Sequence, residues 1–309
     1  MDGPVVEVSR DRWSGGKKKT SRDHVAREKA LEIRIGDASA TVTMRTPGHD
    51  LDLVHGYLLT EGIIHGSEEI ARVRPCPEAQ TDEGDVLLVT LSGEGPFRLD
   101  RWRRSSVAGS SCGICGKTSL SAVHAHWPAI DGASLVESRV LASLPAKLRA
   151  AQEGFEATGG LHAAGIFSRA GELRVVREDI GRHNAVDKAI GACREDPAVL
   201  ADAILMVSGR VSFEIAQKAL AARIPAVAAV SAPSSLAIDL ARRGGQILVG
   251  FLREGGFNVY SGEERVRAGR TGRSAHARDL LPEVSGARGE PSAGPPRRRA
   301  PRTARRRAP

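Results

Sequence analysis

Apolar and polar residues alternate from Leu31 to Ile35 and again from Ala40 to Met44, on either side of Gly36-Asp37. That pattern predicts a β-hairpin with one buried face. Pro47-Gly48-His49-Asp50 then opens a helix whose apolar stripe is Leu51, Leu53, Val54, Tyr57, Leu58 and Leu59. Val86 to Leu91 and Phe97 to Trp102 read as two more strands, closing a small α+β portion near Arg104. Helices are expected from Ser119 to about His126 and from Leu144 to Phe155, the second ending at Gly159-Gly160.

From His162 onward the rhythm changes. Strands at Ala164 to Ser168 and Leu173 to Arg177 lead into a helix from Arg182 to Cys193. Then come Ala203 to Val207 (strand), Ser212 to Arg223 (helix), Ala226 to Val230 (strand), Ser234 to Arg243 (helix) and Gln246 to Phe251 (strand). Alternating strands and helices imply an α/β domain with a partly parallel sheet, and such sheets take ligands beyond the carboxyl ends of their strands. Three segments fall there: Ser208-Gly209-Arg210, Ser231-Ala232-Pro233-Ser234-Ser235 and Phe251-Leu252-Arg253-Glu254-Gly255-Gly256. Small residues admit a ligand to the backbone, helix starts offer free N–H groups, and Arg210 and Arg253 can pair with phosphates. An anionic, phosphate-bearing ligand is the physical inference, set against ordinary turn chemistry.

Charge is distributed unevenly over the 309 residues. From Arg270 to Pro309 there are eleven arginines against Asp279, Glu283 and Glu290, which accounts for the whole net charge of +8. The remainder of the chain is neutral. With its prolines and few apolar side chains the tail is expected to stay disordered, and no aromatic residues are interleaved to stack on bases, so nucleic acid is not the expected partner. Met1 to Arg27 is polar around Gly15-Gly16-Lys17-Lys18-Lys19, lacks the apolar stretch of a signal peptide, and reads as a disordered leader. No run approaches the roughly 18 apolar residues of a membrane span, which gives a soluble protein with the cytoplasm as its default compartment. The expected organisation is a leader over 1–26, a small α+β subdomain over 27–107, a cysteine loop and α/β domain over 108–262, and an Arg/Pro-rich tail over 263–309.

Four cysteines cannot staple a chain of this length. Cys76 and Cys193 stand in no motif and read as incidental or buried. Cys112 and Cys115, in Ser111-Cys112-Gly113-Ile114-Cys115-Gly116, are a reactive pair on a glycine-flanked loop, with Lys117 and the following helix available to favour the thiolate. Three chemistries remain open on these grounds: thiol redox exchange, sulfur transfer through a persulfide, and zinc binding with His124 and His126.

The companion motifs narrow the choice. The CxxC block, Glu178-Asp179-Ile180-Gly181-Arg182-His183-Asn184-Ala185-Val186-Asp187-Lys188, Ser208-Gly209-Arg210-Val211-Ser212-Phe213-Glu214 and Gly250-Phe251-Leu252-Arg253 occur in this order, and together they resemble the FdhD/NarQ family of formate dehydrogenase accessory sulfurtransferases over residues 27 to 262. The resemblance implies a cytoplasmic homodimer with a cytidine-deaminase-like three-layer α/β domain. It implies a sulfur carrier between a cysteine desulfurase and the molybdenum or tungsten bis(guanine dinucleotide) cofactor, carried as cargo, of the formate dehydrogenase catalytic subunit. By the same resemblance Cys112 is the persulfide cysteine, Cys115 its partner, and Phe251, Leu252, Arg253, Glu254, Gly255 and Gly256 the cofactor-binding stretch. Arg182, His183, Lys188 and Arg210 are further candidates for the anionic surface, while Asp179 and Asp187 read equally well as capping or pairing groups within the fold. No resident metal is expected. The HxE and PCxxC signature of zinc deaminases is missing, so deamination is not expected.

Overall fold

A computed structural model describes residues 3–36, 38–82, 84–92, 127–130 and 135–268. The alternating segments at Leu31 and Ala40 form antiparallel strands β3 (Lys29–Ile35) and β4 (Ala38–Arg45), after an N-terminal pair, β1 (Val5–Ser14) and β2 (Lys17–Ala26). Helix α1 (Asp50–Thr60) follows, then β5 (Ile70–Pro75) and β6 (Gly84–Leu91), giving a four-stranded sheet in the order β4-β3-β6-β5. Leu31, Ile33 and Ile35 from β3 meet Leu53, Val54 and Leu58 from α1 in one apolar cluster, as their periods of 2 and 3.6 require.

The chain continues through β7 (Val136–Glu137), α2 (Ser138–Ala150), α3 (Glu153–Thr158), β8 (His162–Ser168) and β9 (Leu173–Asp179). Next come α4 (Arg182–Gly191), β10 (Ala203–Val207), α5 (Phe213–Ala221), β11 (Ala226–Ala229), α6 (Ser235–Arg243), β12 (Ile247–Arg253), β13 (Gly256–Ser261) and β14 (Val266–Arg267), which pairs with β7. A six-stranded sheet runs β13-β12-β11-β10-β8-β9. Its central strands are apolar on both faces: in β10, Ala203, Leu205 and Val207 join α4, α5 and α6 in one core cluster, and Ile204 and Met206 join α2 in another. Helices therefore cover both sides, giving the three layers of an α/β domain.

Helices α1 and α4 cross where glycine replaces side chains. A Cβ on Gly56 would stand 1.8 Å from the Asp187 carbonyl oxygen, and one on Gly191 would stand 1.9 Å from that of Asp52. Charged groups buried beside this crossing are fully paired. Lys218 Nζ lies 2.9 Å from Asp187 and 3.0 Å from Glu61, while the Thr60 hydroxyl donates to Asp187 at 2.7 Å. Burial pulls the Lys218 ammonium down, but the two carboxylates outweigh it and the net direction is up. Arg45, 1% exposed, donates to both oxygens of Asp50 at 2.9 Å and to Asp85.

Three sequence expectations need correction, the first being the tail expected from residue 263, since Glu263–Arg265 forms a 3-10 turn and β14 pairs with β7. The expected disordered leader over 1–26 is instead a hairpin from Val5 to Ala26, in unbroken antiparallel register, with its base against α3. Gly15 and Gly16 both take positive φ (57° and 74°), the backbone of a two-residue turn that matches strand twist. Cross-strand ion pairs Arg10–Asp23 and Lys18–Asp11, each 2.7 Å, stand where a buried apolar face would normally be. The single helix expected over Leu144 to Phe155 starts earlier, at Ser138, and divides at Ala151-Gln152. Both residues close onto the preceding turn, with bonds to Leu148 O (3.1 Å) and Arg149 O (3.3 Å). A new helix, α3, then begins, with its Gly154 and Phe155 N–H groups donating to the Glu178 carboxylate at 2.7 and 2.8 Å. The strand expected at Phe97 to Trp102 and the helix expected at Ser119 lie outside the described residues.

Candidate functional site

Strands β9, β10, β11 and β12 run in one direction and deliver their carboxyl ends to one edge of the six-stranded sheet. Strand β8 runs oppositely, so its first residue, His162, arrives at that same edge opposite Asp179. The segments Gly181 to His183, Ser208 to Arg210, Ser231 to Ser234 and Phe251 to Gly256 all leave the sheet there. They are far apart in sequence and follow one another along this edge, from the end of β12 through those of β11 and β10 to that of β9.

Much of the Glu178 to Lys188 motif builds this edge rather than lining it. Asp179 is fully buried, and its carboxylate accepts from Gly181 N (2.8 Å), Asn184 Nδ2 (3.2 Å) and Thr46 N (3.0 Å). Lys188 is the second partner in this knot: 1% exposed, it lies 2.7 Å from Asp179 and donates to Thr46 O at 2.7 Å. The expectation that Lys188 belongs to an anion-binding surface is therefore corrected, because its charge is neutralised inside the fold. Asp179 and Asp187 are structural pairing groups, the plainer of their two readings.

Arg182, His183 and Arg210 do reach the edge. Arg210 is exposed, without a hydrogen bond or ion pair among the described residues. Arg182 opens α4, and its Nε–H is buried with no acceptor among the described residues. Orphaned buried donors of this kind are uncommon and point to a missing acceptor. His183 is buried, with Nε2 3.2 Å from the Ser212 hydroxyl and 3.9 Å from Glu214. The surrounding turns are held together: Ser208 Oγ accepts from Ala163 N at 2.9 Å, Ser234 N donates to Val211 O at 2.9 Å, and Ser234 Oγ caps α6 through Ala237 N at 3.2 Å.

Phe251 to Gly256 forms the end of β12, a tight turn and the start of β13. Phe251 has φ 52°, a left-handed backbone unusual for an aromatic residue, and its N–H donates to Ser231 O at 3.1 Å while the side chain stays exposed. Gly250 before it admits no Cβ, which would come within 2.8 Å of Pro233 Cδ. Glu254, Gly255 and Gly256 are exposed, and the two glycines have open space where a side chain would begin. Leu252 points the other way, fully buried in the core cluster beside α2. Arg253 donates to Val230 O and, at 2.9 Å, to Leu252 O, so part of its guanidinium is committed to the hairpin.

His162 is the residue the sequence reading passed over. Its ring lies against Gly209, whose Cβ, if present, would be 3.5 Å from Nδ1. Burial and the nearby Arg182 and Arg210 charges hold its pKa below the usual histidine value, against a smaller opposing effect from Asp179. The only signal available was a histidine directly before an apolar strand. The direction of that strand, which brings it to the edge, is not written in its composition.

Cys112, Cys115, Lys117, His124 and His126 lie outside the described residues. Of the other cysteines, Cys193 is buried, donates to Ala189 O, and has its thiol pushed up to about 11 by burial, the character of an inert packing group. Cys76 is half-buried. Among the described residues no group of three or more His, Cys, Asp or Glu side chains is placed to hold a metal ion, and no helix is long and apolar enough to cross a membrane.

Comparison with known proteins adds an independent finding. The model of the FdhD/NarQ family matches residues 26–267. The sulfur carrier protein FdhD of Nocardia farcinica is 52% identical over 255 residues, covering 80% of this chain and 89% of that protein. The protein of the same description from Mycolicibacterium paratuberculosis is 50% identical over 247 residues, covering 77% and 90%. Among solved structures, a putative formate dehydrogenase accessory protein from Desulfotalea psychrophila superposes with a TM-score of 0.64 over 85% of this chain and 99% of that one. At 22% identity it speaks to the fold alone.

Proposed function

The chain belongs to the FdhD/NarQ family, and we propose that it is a sulfurtransferase that takes sulfur from a cysteine desulfurase onto Cys112 and passes it to the molybdenum or tungsten bis(guanine dinucleotide) cofactor of formate dehydrogenase. The observation that supports this best is convergence: the three motif blocks that accompany the CxxC in the sequence leave the sheet at one edge, which carries two arginines without partners among the described residues. Arg182, His183 and Arg210 would meet the phosphates of the cofactor. The open Glu254-Gly255-Gly256 turn and the Phe251 ring would meet its flat and bulky parts. The three-layer sheet supports a cytidine-deaminase-like reading of the domain.

The sulfur chemistry needs no external oxidant for loading. The Cys112 thiolate attacks the outer sulfur of the desulfurase persulfide, one S–S bond forms as another breaks, and the desulfurase leaves as a thiolate. Delivery can then use Cys115, which displaces the terminal sulfur as hydrosulfide and leaves a Cys112–Cys115 disulfide for cellular thiols to reduce. The setting we propose is a cytoplasmic homodimer that docks the desulfurase and the formate dehydrogenase catalytic subunit in turn.

The edge is tested by Arg210→Ala. Loss of a charge-assisted contact is worth about 1.5–3 kcal/mol, or about tenfold or more in affinity. Titration calorimetry with GDP as the probe should show that loss, with the unfolding temperature unchanged because Arg210 is exposed and holds no partner among the described residues. Equal GDP affinity in the variant and the parent would contradict the assignment.

A further inference from the structure

Of the groups at the strand ends, His162 has no place in the reading above, and its position gives it one. It is the first residue of β8, set opposite Asp179 of β9, with its ring on the bare backbone of Gly209. The charged groups acting on that ring come from each neighbouring element: Arg182 from α4, Arg210 from the turn after β10, and Asp179 from the end of β9. Asp179 spends its carboxylate on Lys188, Thr46, Gly181 and Asn184. The two arginines spend nothing among the described residues, and the Arg182 Nε–H is buried without an acceptor. Two cations and an imidazole thus stand at the neighbouring ends of β8, β9 and β10, beside a carboxylate that is already neutralised.

We propose that His162, Arg182 and Arg210 form a phosphate subsite, and that a phosphoryl group entering it brings a proton from solvent onto the His162 ring. The inference rests on the anionic-ligand reading of this edge and adds to it both a residue and a pH dependence. Burial and the two arginines disfavour the charged form of the ring. An anion bound between the arginines offsets their charge and accepts from the ring, so the protonated form becomes the favoured one. Binding then strengthens as pH falls, and by linkage the bound ligand raises the pH at which His162 titrates. No covalent bond is made or broken. A nucleotide diphosphate carries the right group, and the subsite would be indifferent to its base.

The experiment is a GDP titration of the full-length protein between pH 6 and 8, in buffers of different ionisation enthalpy, paired with NMR observation of the His162 ring C–H signal. The parent should take up as much as about one proton more than His162→Gln, since uptake by the ligand itself is common to both. Its affinity should change by at most about tenfold per pH unit, between the ring's free and bound titration midpoints. In the parent alone the ring should titrate at higher pH with GDP than without it, a readout that needs no variant. Arg182→Gln should raise the midpoint of the free ring. Equal proton uptake in the parent and His162→Gln, or a ring midpoint that GDP leaves in place, would overturn the subsite. If GDP binds and Arg210→Ala weakens it while those two results fail, this inference falls and the wider reading stands; if the parent binds no GDP, both fall.

Discussion

Replacing Gly191 or Gly56 with alanine is expected to cost about 3 kcal/mol or more, lowering the midpoint of thermal unfolding by about 6–12 °C for a domain of this size. Each added Cβ meets main-chain atoms rather than a movable side-chain tip: at Gly191 the Asp52 oxygen at 1.9 Å and the Gly56 nitrogen at 2.5 Å, and at Gly56 the Asp187 oxygen at 1.8 Å. Real contacts at such distances do not occur, so α1 and α4 have to part. Parting them strains the Thr60–Asp187 hydrogen bond and the Glu61–Lys218 pair, which tie α1 and its carboxyl end to the buried charges of α4 and α5. Gly160→Ala is the control, because its Cβ would find only ordinary contacts, the nearest at 3.7 Å. Differential scanning calorimetry should separate these variants; a Gly191→Ala protein that melts with the parent would mean the helices are not in contact as described.

These same residues show where sequence reasoning works. Strands and helices after His162 are legible because the central strands are buried on both faces and the turns carry small residues, so hydrophobic runs and punctuation agree. That agreement also placed Ser208 to Arg210 and Phe251 to Gly256 at strand ends. The β1–β2 hairpin was not legible, because it buries neither face and is held by Gly15-Gly16 and cross-strand charges, leaving no apolar alternation to count. Lys188 was misjudged and His162 overlooked for a common reason. Whether a polar residue faces a ligand or a buried partner depends on strand direction and on a distant segment, here Thr46 and Asp179 for Lys188 and Gly209 for His162. Likewise Leu252 sits inside a cofactor-binding stretch by resemblance, yet alternation along β12 turns it into the core.

Cys112→Ala is expected to abolish activation of formate dehydrogenase by this protein, a loss to the background of the assay. Cys193 offers no substitute for the Cys112 thiolate: it is buried with its thiol pushed up to about 11, and an unionised, enclosed thiol neither attacks nor is reached. Cys115→Ala should be less severe if Cys115 only helps release sulfur, and external thiols should then partly restore it. Activity of separately expressed formate dehydrogenase, matured with each variant in a strain lacking the endogenous carrier, measures both. Full activation by Cys112→Ala would remove the persulfide from the account.

The central claim is that sulfur rides on Cys112, and intact-mass analysis tests it most directly. After incubation with a cysteine desulfurase and cysteine, the parent should gain the mass of one sulfur atom, removable by dithiothreitol and mapped by peptide digestion to Cys112, while Cys112→Ala should gain none. A parent protein that stays at its starting mass, or a Cys112→Ala variant that gains the same sulfur, would contradict the account.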